Sequence, residues 1–323
     1  MTRLKEMHAV TIDRFGGPDV LTYGRQRLPD VGPGQVLVKV AYAGVGSWDP
    51  LEREGLFAEL TGQTPDFPYT LGRDGSGTIA AIGVGVDRFA IGDAVYALGI
   101  GHYAEYIALD ADAVSLLPDD LPLDQAGAMP IVALTAWQGL AIELDVAPGD
   151  AVLINGASGD VGHIAVQLAK RLGARVLAVA SGEDGVAAAL ELGADVAVDG
   201  RVTDVAAASR AFAPKGLDAV LAVVGGASLS AAIGTVRERG RVAYPAGIDP
   251  EPEPRAGLVF RHFDLTLDAP ATSRVKMEQL NALIAAGPFE VRISSTFPLG
   301  QAAQAHQALA AHRIGKVILS VPS

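Results

Sequence analysis

Ala151-Val152-Leu153-Ile154-Asn155-Gly156-Ala157-Ser158-Gly159-Asp160-Val161-Gly162-His163-Ile164-Ala165-Val166-Gln167-Leu168-Ala169-Lys170 runs from an apolar stretch through a glycine turn into an amphipathic stretch. Ala151 to Asn155 reads as a strand buried on both faces. Val161, Ala165, Leu168 and Leu172 then recur at helical spacing and form one apolar stripe. A strand, a glycine turn and a helix start bring bare backbone N–H groups and the positive end of a helix to one point, which suits a pyrophosphate. The first element is Asn155-Gly156-Ala157 rather than Gly-x-Gly, so the weight rests on context. That context holds: a second apolar run, Arg175 to Ala180, arrives about twenty residues on, as a βαβ unit requires.

Downstream the same rhythm continues with Val196 to Asp199, Ala219 to Val224 and Val242 to Ala246 as strands, and helical segments between them. Buried parallel strands alternating with helices predict a doubly wound α/β sheet. The Pro-rich stretch Pro245 to Pro254 and the segment after it break the rhythm. Ser273 to Ala286 then reads as a helix and Lys316 to Val321 as a terminal strand. Upstream, Val36 to Val45, Thr78 to Val84, Ala94 to Leu98 and Tyr103 to Leu109 are short apolar runs between Gly, Pro and Asp. Their spacing predicts a partly closed β-barrel. The resulting division is a discontinuous front domain, 1–120 and 266–323, around a dinucleotide domain, 121–265, with the active site expected in the cleft between them.

A chain of 323 residues is long enough for two cores. Half of the residues are hydrophobic and 19% are charged, a globular balance. There is no cysteine, which removes disulfides, thiolate nucleophiles and every cysteine-containing zinc site. A net charge of -12 opposes nucleic acid and anionic lipid as partners. The first ten residues lack the apolar core of a signal peptide, and no run reaches the roughly 20 apolar residues of a membrane span. A cytoplasmic location is therefore expected.

At the end of the second strand an acidic residue would hold the ribose 2'-OH of NAD; here Ser181 and Gly182 leave room for the phosphate of NADP. Glu183 and Asp184 oppose it. NADPH is the expected cofactor, with NADH possible.

Gly156 to Lys170 resembles the GAxGGVGxxAxQLAK signature of the zinc-independent quinone oxidoreductases of the medium-chain dehydrogenase/reductase superfamily. Ala43 to Asp49 with Arg53 and Gly55, Leu71 to Gly77, Gly92 to Tyr96, Tyr103 to Tyr106, Thr135 to Trp137 and Gly315 to Leu319 resemble further motifs of that family, in order. The resemblance implies a GroES-like β-barrel domain, a Rossmann domain, a homodimer and no metal. Zinc-dependent relatives carry Cys where this chain has Gly46, and His-Glu where it has Arg73-Asp74. His8, His102, His163, His262, His306 and His312 show no ligand spacing.

Three departures stand out. Gly46-Ser47 replaces the family's Asn-Pro, Asp160 replaces a Gly, and the Lys and Tyr of NADP-using relatives are missing around Gly182 to Asp184 and Asp199 to Arg201. Asp160 suits the helix dipole if it faces solvent and opposes a pyrophosphate if it faces inward. Arg201 and Arg313 are the cations left to meet a 2'-phosphate.

Without metal or thiol, the chemistry leans on the cofactor. Expected dinucleotide contacts are Gly156, Ser158, Gly159, Asp160, Val161, Gly162, Ser181, Thr135, Val224, Gly225, Ala246, Gly247 and Arg313. Expected pocket residues are Tyr42, Trp48, Asp49, Tyr69 and Arg73, with Asp49 either catalytic or a turn cap, and Arg73 either an oxyanion partner or paired with Asp74. The predicted activity is hydride transfer to a quinone or related small electrophilic carbonyl. Reduction of an activated alkene, or cofactor binding without catalysis, are the alternatives.

Overall fold

Residues 5–265 and 270–322 are described by a computed structural model. Contacts divide the chain into unit 1, Met1–Ile131 with Ala269–Glu278 and Ile293–Ser323, and unit 2, Val132–Asp268 with Gln279–Arg292.

In chain order the first stretch holds β1 (Glu6–Ile12), β2 (Thr22–Arg27), β3 (Gln35–Val45), α1 (Trp48–Glu54), α2 (Leu56–Thr61), β4 (Tyr69–Thr70), β5 (Asp74–Ile82), β6 (Ala94–Leu98), β7 (Tyr106–Asp110), β8 (Val114–Leu116), α3 (Leu123–Ala128) and α4 (Pro130–Trp137). Next come β9 (Ala151–Asn155), α5 (Gly162–Arg171), β10 (Arg175–Ala180), α6 (Gly182–Glu191), β11 (Val196–Asp199), α7 (Val205–Phe212), β12 (Leu217–Ala222), α8 (Ala227–Ile233), β13 (Val236–Pro245) and β14 (Val259–Phe263). The chain closes with α9 (Pro270–Ala285), β15 (Ile293–Pro298), α10 (Ala302–Ala308) and β16 (Lys316–Ser320).

Unit 1 is built on a sheet in the order β15-β16-β3-β5-β6-β8, with β7 also on β3, and a smaller sheet β2-β1-β4. This is the GroES-like half of the expected architecture. Val38, Val40, Ile79, Val95, Val114, Val317 and Leu319 fill its core. β5 starts at Asp74 rather than Thr78 because its glycines are strand residues and not punctuation. A Cβ at Gly77 would overlap the Lys39 carbonyl, and one at Gly75 would lie 2.6 Å from the Tyr42 carbonyl, so only bare Cα atoms let β5 lie this close to β3. Tyr103, read as strand, instead ends a loop and is fully buried.

Unit 2 holds the parallel sheet β11-β10-β9-β12-β13-β14. Numbered from β9 this is the 3-2-1-4-5-6 order of a dinucleotide-binding fold. All five residues of β9 are buried, as its unbroken apolar run requires. The expected break after Pro254 is corrected by β14, a sixth parallel strand whose exposed Arg261 and His262 disguise it.

Residues 121–131, assigned from sequence to the dinucleotide domain, pack in unit 1: Ser76 Oγ donates to the Leu123 carbonyl at 2.5 Å. Residues 279–292, assigned to the front domain, pack in unit 2. Three side chains one turn apart on α5 hold the latter segment. His163 Nε2 accepts from Arg292 N (3.1 Å), Gln167 bonds both ways with Glu290 (2.8 and 3.0 Å), and Arg171 donates to the carbonyls of Leu283, Ile284, Gly287 and Pro288.

Candidate active site

The carboxyl ends of β9, β10, β12 and β13 lie along one edge of the unit 2 sheet. Gly156, Ser158, Gly159, Asp160, Val161 and Gly162 form the turn from β9 into α5 at that edge. Gly156 has φ +91, a left-handed conformation that suits glycine. Gly162 admits no side chain: a Cβ would overlap the Gly156 carbonyl and lie 2.7 Å from Ala157 Cα. The N–H groups of Gly156 and Ala157 are spent on the Val179 carbonyl, and that of Gly159 on Gly156. Those of Ser158 and Asp160 have no partner among the described residues, which leaves two donors for an anion at the helix start.

Asp160 turns its carboxylate onto its own helix and accepts the Val161 N–H at 3.0 Å. Ser158 Oγ accepts from Ser181 N at 3.3 Å, tying the turn to the end of β10. Asn155 Nδ2 donates to the Val224 carbonyl (2.9 Å), while its Oδ1 is buried without a partner. Gly225 lies against the Pro250 backbone, and Ala246 N donates to the Phe263 carbonyl at 2.8 Å. Thr135 is buried on α4, in the same unit. The edge therefore has free amides, a bare-backbone turn and an orphaned buried acceptor, and its residues fit a dinucleotide.

At the adenosine end expected from the strand order, Arg201 is committed to Asp199 through Nε (3.1 Å) and Nη2 (2.9 Å). This pairing first of all holds the Asp199 carboxyl well below the usual carboxylate range. Arg313 belongs to unit 1, where it donates to the Leu309 carbonyl near the end of α10.

The second cluster lies in unit 1. α1 follows β3 directly, and Asp49 in its first turn reaches back to accept the Gly46 N–H at 2.6 Å. Its side chain is nevertheless only 3% exposed. Burial pushes its carboxyl up to about 7, against the opposing Gly46 hydrogen bond and the Lys316 charge. Glu52, one turn on, accepts from Tyr69 Oη (2.5 Å) and from Arg73 Nε (3.0 Å). Arg73 therefore pairs with Glu52 and not with Asp74, and its guanidinium lies 4.5 Å from the Phe57 ring centroid. Asp74, the first residue of β5, instead accepts the Ile131 N–H at 3.0 Å. Trp48 packs on Phe57 with ring centroids 5.3 Å apart, and Tyr42 lies on β3 against Gly127.

Sequence reasoning missed three members of this cluster. Tyr103, His306 and Lys316 are all buried and stand beside Asp49 or Arg53. A signal existed for His306, which falls in the apolar stripe Ala302, Ala305, His306 of α10 that continues to Leu309 just past its end.

The residues do not fit a zinc ion. Gly46 offers no donor atom and has Lys316 Nζ 3.1 Å from the position of a Cβ, while Arg73 brings a second cation. His102 binds the Gly99 carbonyl and His163 the Gly159 carbonyl. Among the described residues, no three His, Asp or Glu side chains are grouped to hold a metal.

Residues 32–119 match the model of the alcohol dehydrogenase GroES-like domain, and residues 161–273 match that of the zinc-binding dehydrogenase family. The chain is 32% identical to a quinone oxidoreductase of Sus scrofa, covering 98% of this chain and 99% of the relative. It superposes on a mycobacterial protein, Rv1454c, complexed with NADPH, with a TM-score of 0.85 and 28% identity over 97% of this chain and 99% of that one. It also superposes on CurK enoyl reductase with a TM-score of 0.87 and 25% identity over 99% of this chain and 100% of that one. With a Rossmann sheet, a GroES-like unit and this likeness along nearly its whole length, the chain belongs to the quinone oxidoreductase family of the medium-chain dehydrogenase/reductase superfamily and is an oxidoreductase.

Proposed function

We propose that the chain is a metal-free reductase that prefers NADPH and transfers hydride to a quinone or a related small electrophilic carbonyl compound. The observation that carries this reading is the sheet edge shaped for a dinucleotide in a chain that has Gly46, Arg73 and Asp74 where zinc-dependent relatives have ligands. Bound reduced nicotinamide supplies the hydride. Ser158 and Asp160 N–H groups would hold the pyrophosphate, and Thr135, Val224, Gly225, Ala246 and Gly247 the nicotinamide end. Ser181 and Gly182 admit a 2'-phosphate, to which Arg201 can turn from Asp199. Trp48 and Tyr42 are assigned to flank a flat acceptor ring, and Asp49 and Arg73 to shape its polar side. A quinone stabilises its own developing negative charge, so a Lewis acid is not required.

The test follows reduced-cofactor absorbance with NADPH and NADH against ortho- and para-quinones, 2-alkenals and primary alcohols. NADPH oxidation by quinones is expected. Turnover of 2-alkenals or enones without quinones would shift the assignment to alkene reduction, the reading that likeness to an enoyl reductase favours. Tight NADPH binding without turnover of any acceptor would make this a cofactor-binding protein, and zinc-dependent alcohol oxidation would overturn the metal-free assignment. Among the described residues no helix is long and apolar enough to cross a membrane. We further assign a homodimer formed along the β14 edge; a monomeric mass in light scattering at micromolar protein would refute it.

A further inference from the structure

Four buried side chains from three parts of unit 1 are joined in one line. Asp49 and Arg53 lie one turn apart on α1, Tyr103 precedes β7, and His306 sits on α10. Arg53 Nη1 is 3.0 Å from His306 Nδ1, His306 Nε2 is 3.2 Å from Tyr103 Oη, and Tyr103 Oη is 3.1 Å from Asp49 Oδ2. An arginine side chain donates and never accepts, so the lone pair of His306 must be on Nδ1. The proton of the neutral ring is then on Nε2 and is given to Tyr103, whose single hydroxyl hydrogen is left for Asp49. Burial first, and the Arg53 charge second, push His306 down to about 3, consistent with a neutral ring.

Every hydrogen in the line thus points toward one oxygen, Asp49 Oδ2, which also takes the Gly46 N–H. The line cannot run backward, because Arg53 has no lone pair to receive a proton. Nor can it feed Asp49, since giving up the Nε2 proton would leave His306 an anionic ring. Oδ2 is held as an acceptor, and a proton on Asp49 belongs on Oδ1. The charged groups facing Asp49 are Lys316 from β16, which favours the carboxylate, and Asp74 from β5 and Glu52 from its own helix, which oppose it.

We propose that Asp49 is the proton donor of the reaction and that Arg53, His306 and Tyr103 are positioning residues that pin its Oδ2 and reserve the Oδ1 proton for the substrate oxygen. This rests on the quinone-reductase reading. As hydride addition places an electron pair on the quinone oxygen, the Asp49 Oδ1–H bond breaks and the O–H bond of the hydroquinone forms. The dinucleotide is oxidised, the quinone is reduced, and the Asp49 carboxylate regains its proton from water.

Two measurements test it: pH profiles of kcat/KM for NADPH and quinone, and ¹³C NMR titration of labelled aspartate in dinucleotide-free protein. The wild type should lose kcat/KM above about pH 7, and Asp49→Asn should fall about 100-fold and lose that limb. Tyr103→Phe removes one donor from the carboxylate, so both the limb and the Asp49 titration should move to higher pH. His306→Leu should do the same, and His306→Gln, which keeps an N–H toward Tyr103 and an oxygen toward Arg53, should restore the wild-type values. Asp49→Asn with an unchanged limb would overturn the proton-donor role. Tyr103→Phe that slows the enzyme at every pH, with neither limb nor titration displaced, would overturn the positioning role. Should the wild type not reduce quinones at all, the function reading fails by itself, while an unmoved NMR titration in Tyr103→Phe would separately sink the hydrogen-bond line.

Discussion

Unit 1 and unit 2 bury comparable cores but treat charge in opposite ways. Among the described residues, every fully buried carboxylate, lysine and arginine lies in unit 1: Asp49, Glu52, Arg53, Asp74 and Lys316. The buried polar groups of unit 2 are Thr135, Asn155, Ser158, His163, Gln167 and Ser209, all uncharged types or a histidine held neutral by its two partners. A buried charge costs several kcal/mol unless it is paired, so unit 1 maintains its cluster by mutual hydrogen bonds. Unit 2 offers backbone amides and leaves the charge to its ligand. Buried charge resides in one unit and bare-backbone shape in the other.

The strongest way to break this contrast is to neutralise Asp49 and read stability against pH. Its folded pKa of about 7 lies above the ordinary unfolded value of about 3.9, so folding favours the protonated form. The associated stability is whole below about pH 4 and declines until about pH 7. Asp49→Asn should therefore match the wild type in urea unfolding near pH 4, and exceed it near pH 8 by up to about 4 kcal/mol. A constant difference across that range would refute the buried-charge account. On the unit 2 side, Gly162→Ala should cost about 3 kcal/mol by overpacking and remove measurable NADPH binding in a fluorescence titration, because the clash is with backbone. Wild-type affinity in that variant would show that the turn's shape is not what matters.

A smaller effect is expected where unit 2 does use a cation. Arg171→Ala frees four carbonyls and should cost about 2 kcal/mol, with faster hydrogen exchange confined to residues 283–290. Protection unchanged there would mean that Gln167 and His163 suffice. The smallest change is Arg201→Ala: folding is unaffected, and NADPH binding weakens by about tenfold or less while NADH binding does not. Equal loss for both cofactors would remove Arg201 from the phosphate site.

The same contrast explains what could be read from the chain. Strands β9 and β10 carry the bounds expected from their apolar runs, since burial on both faces leaves a local trace. β11, an edge strand with no fully buried residue, carries its expected bounds through its β-branched apolar run alone. β14 left none, because an edge strand tolerates Arg261 and His262, and the start of β5 was hidden by glycines that serve close approach. The glycine turn is likewise local. The charged cluster is not: Arg53 and His306 are 253 positions apart and meet only once β16 has paired with β3 and brought the tail home. Pairing of Arg73 with Glu52 instead of its neighbour Asp74 joins residues 21 positions apart, which no local pattern shows.

Gly46 sets a condition for anyone wishing to engineer metal chemistry into this scaffold. Lys316 Nζ stands 3.1 Å from where a Cβ would begin, so a cysteine introduced there alone would meet an ammonium that stabilises its thiolate without any ion. Arg73, at the next ligand position, would still repel a divalent cation. Three positions would have to change together, and any partial replacement would strand a charge in a buried place.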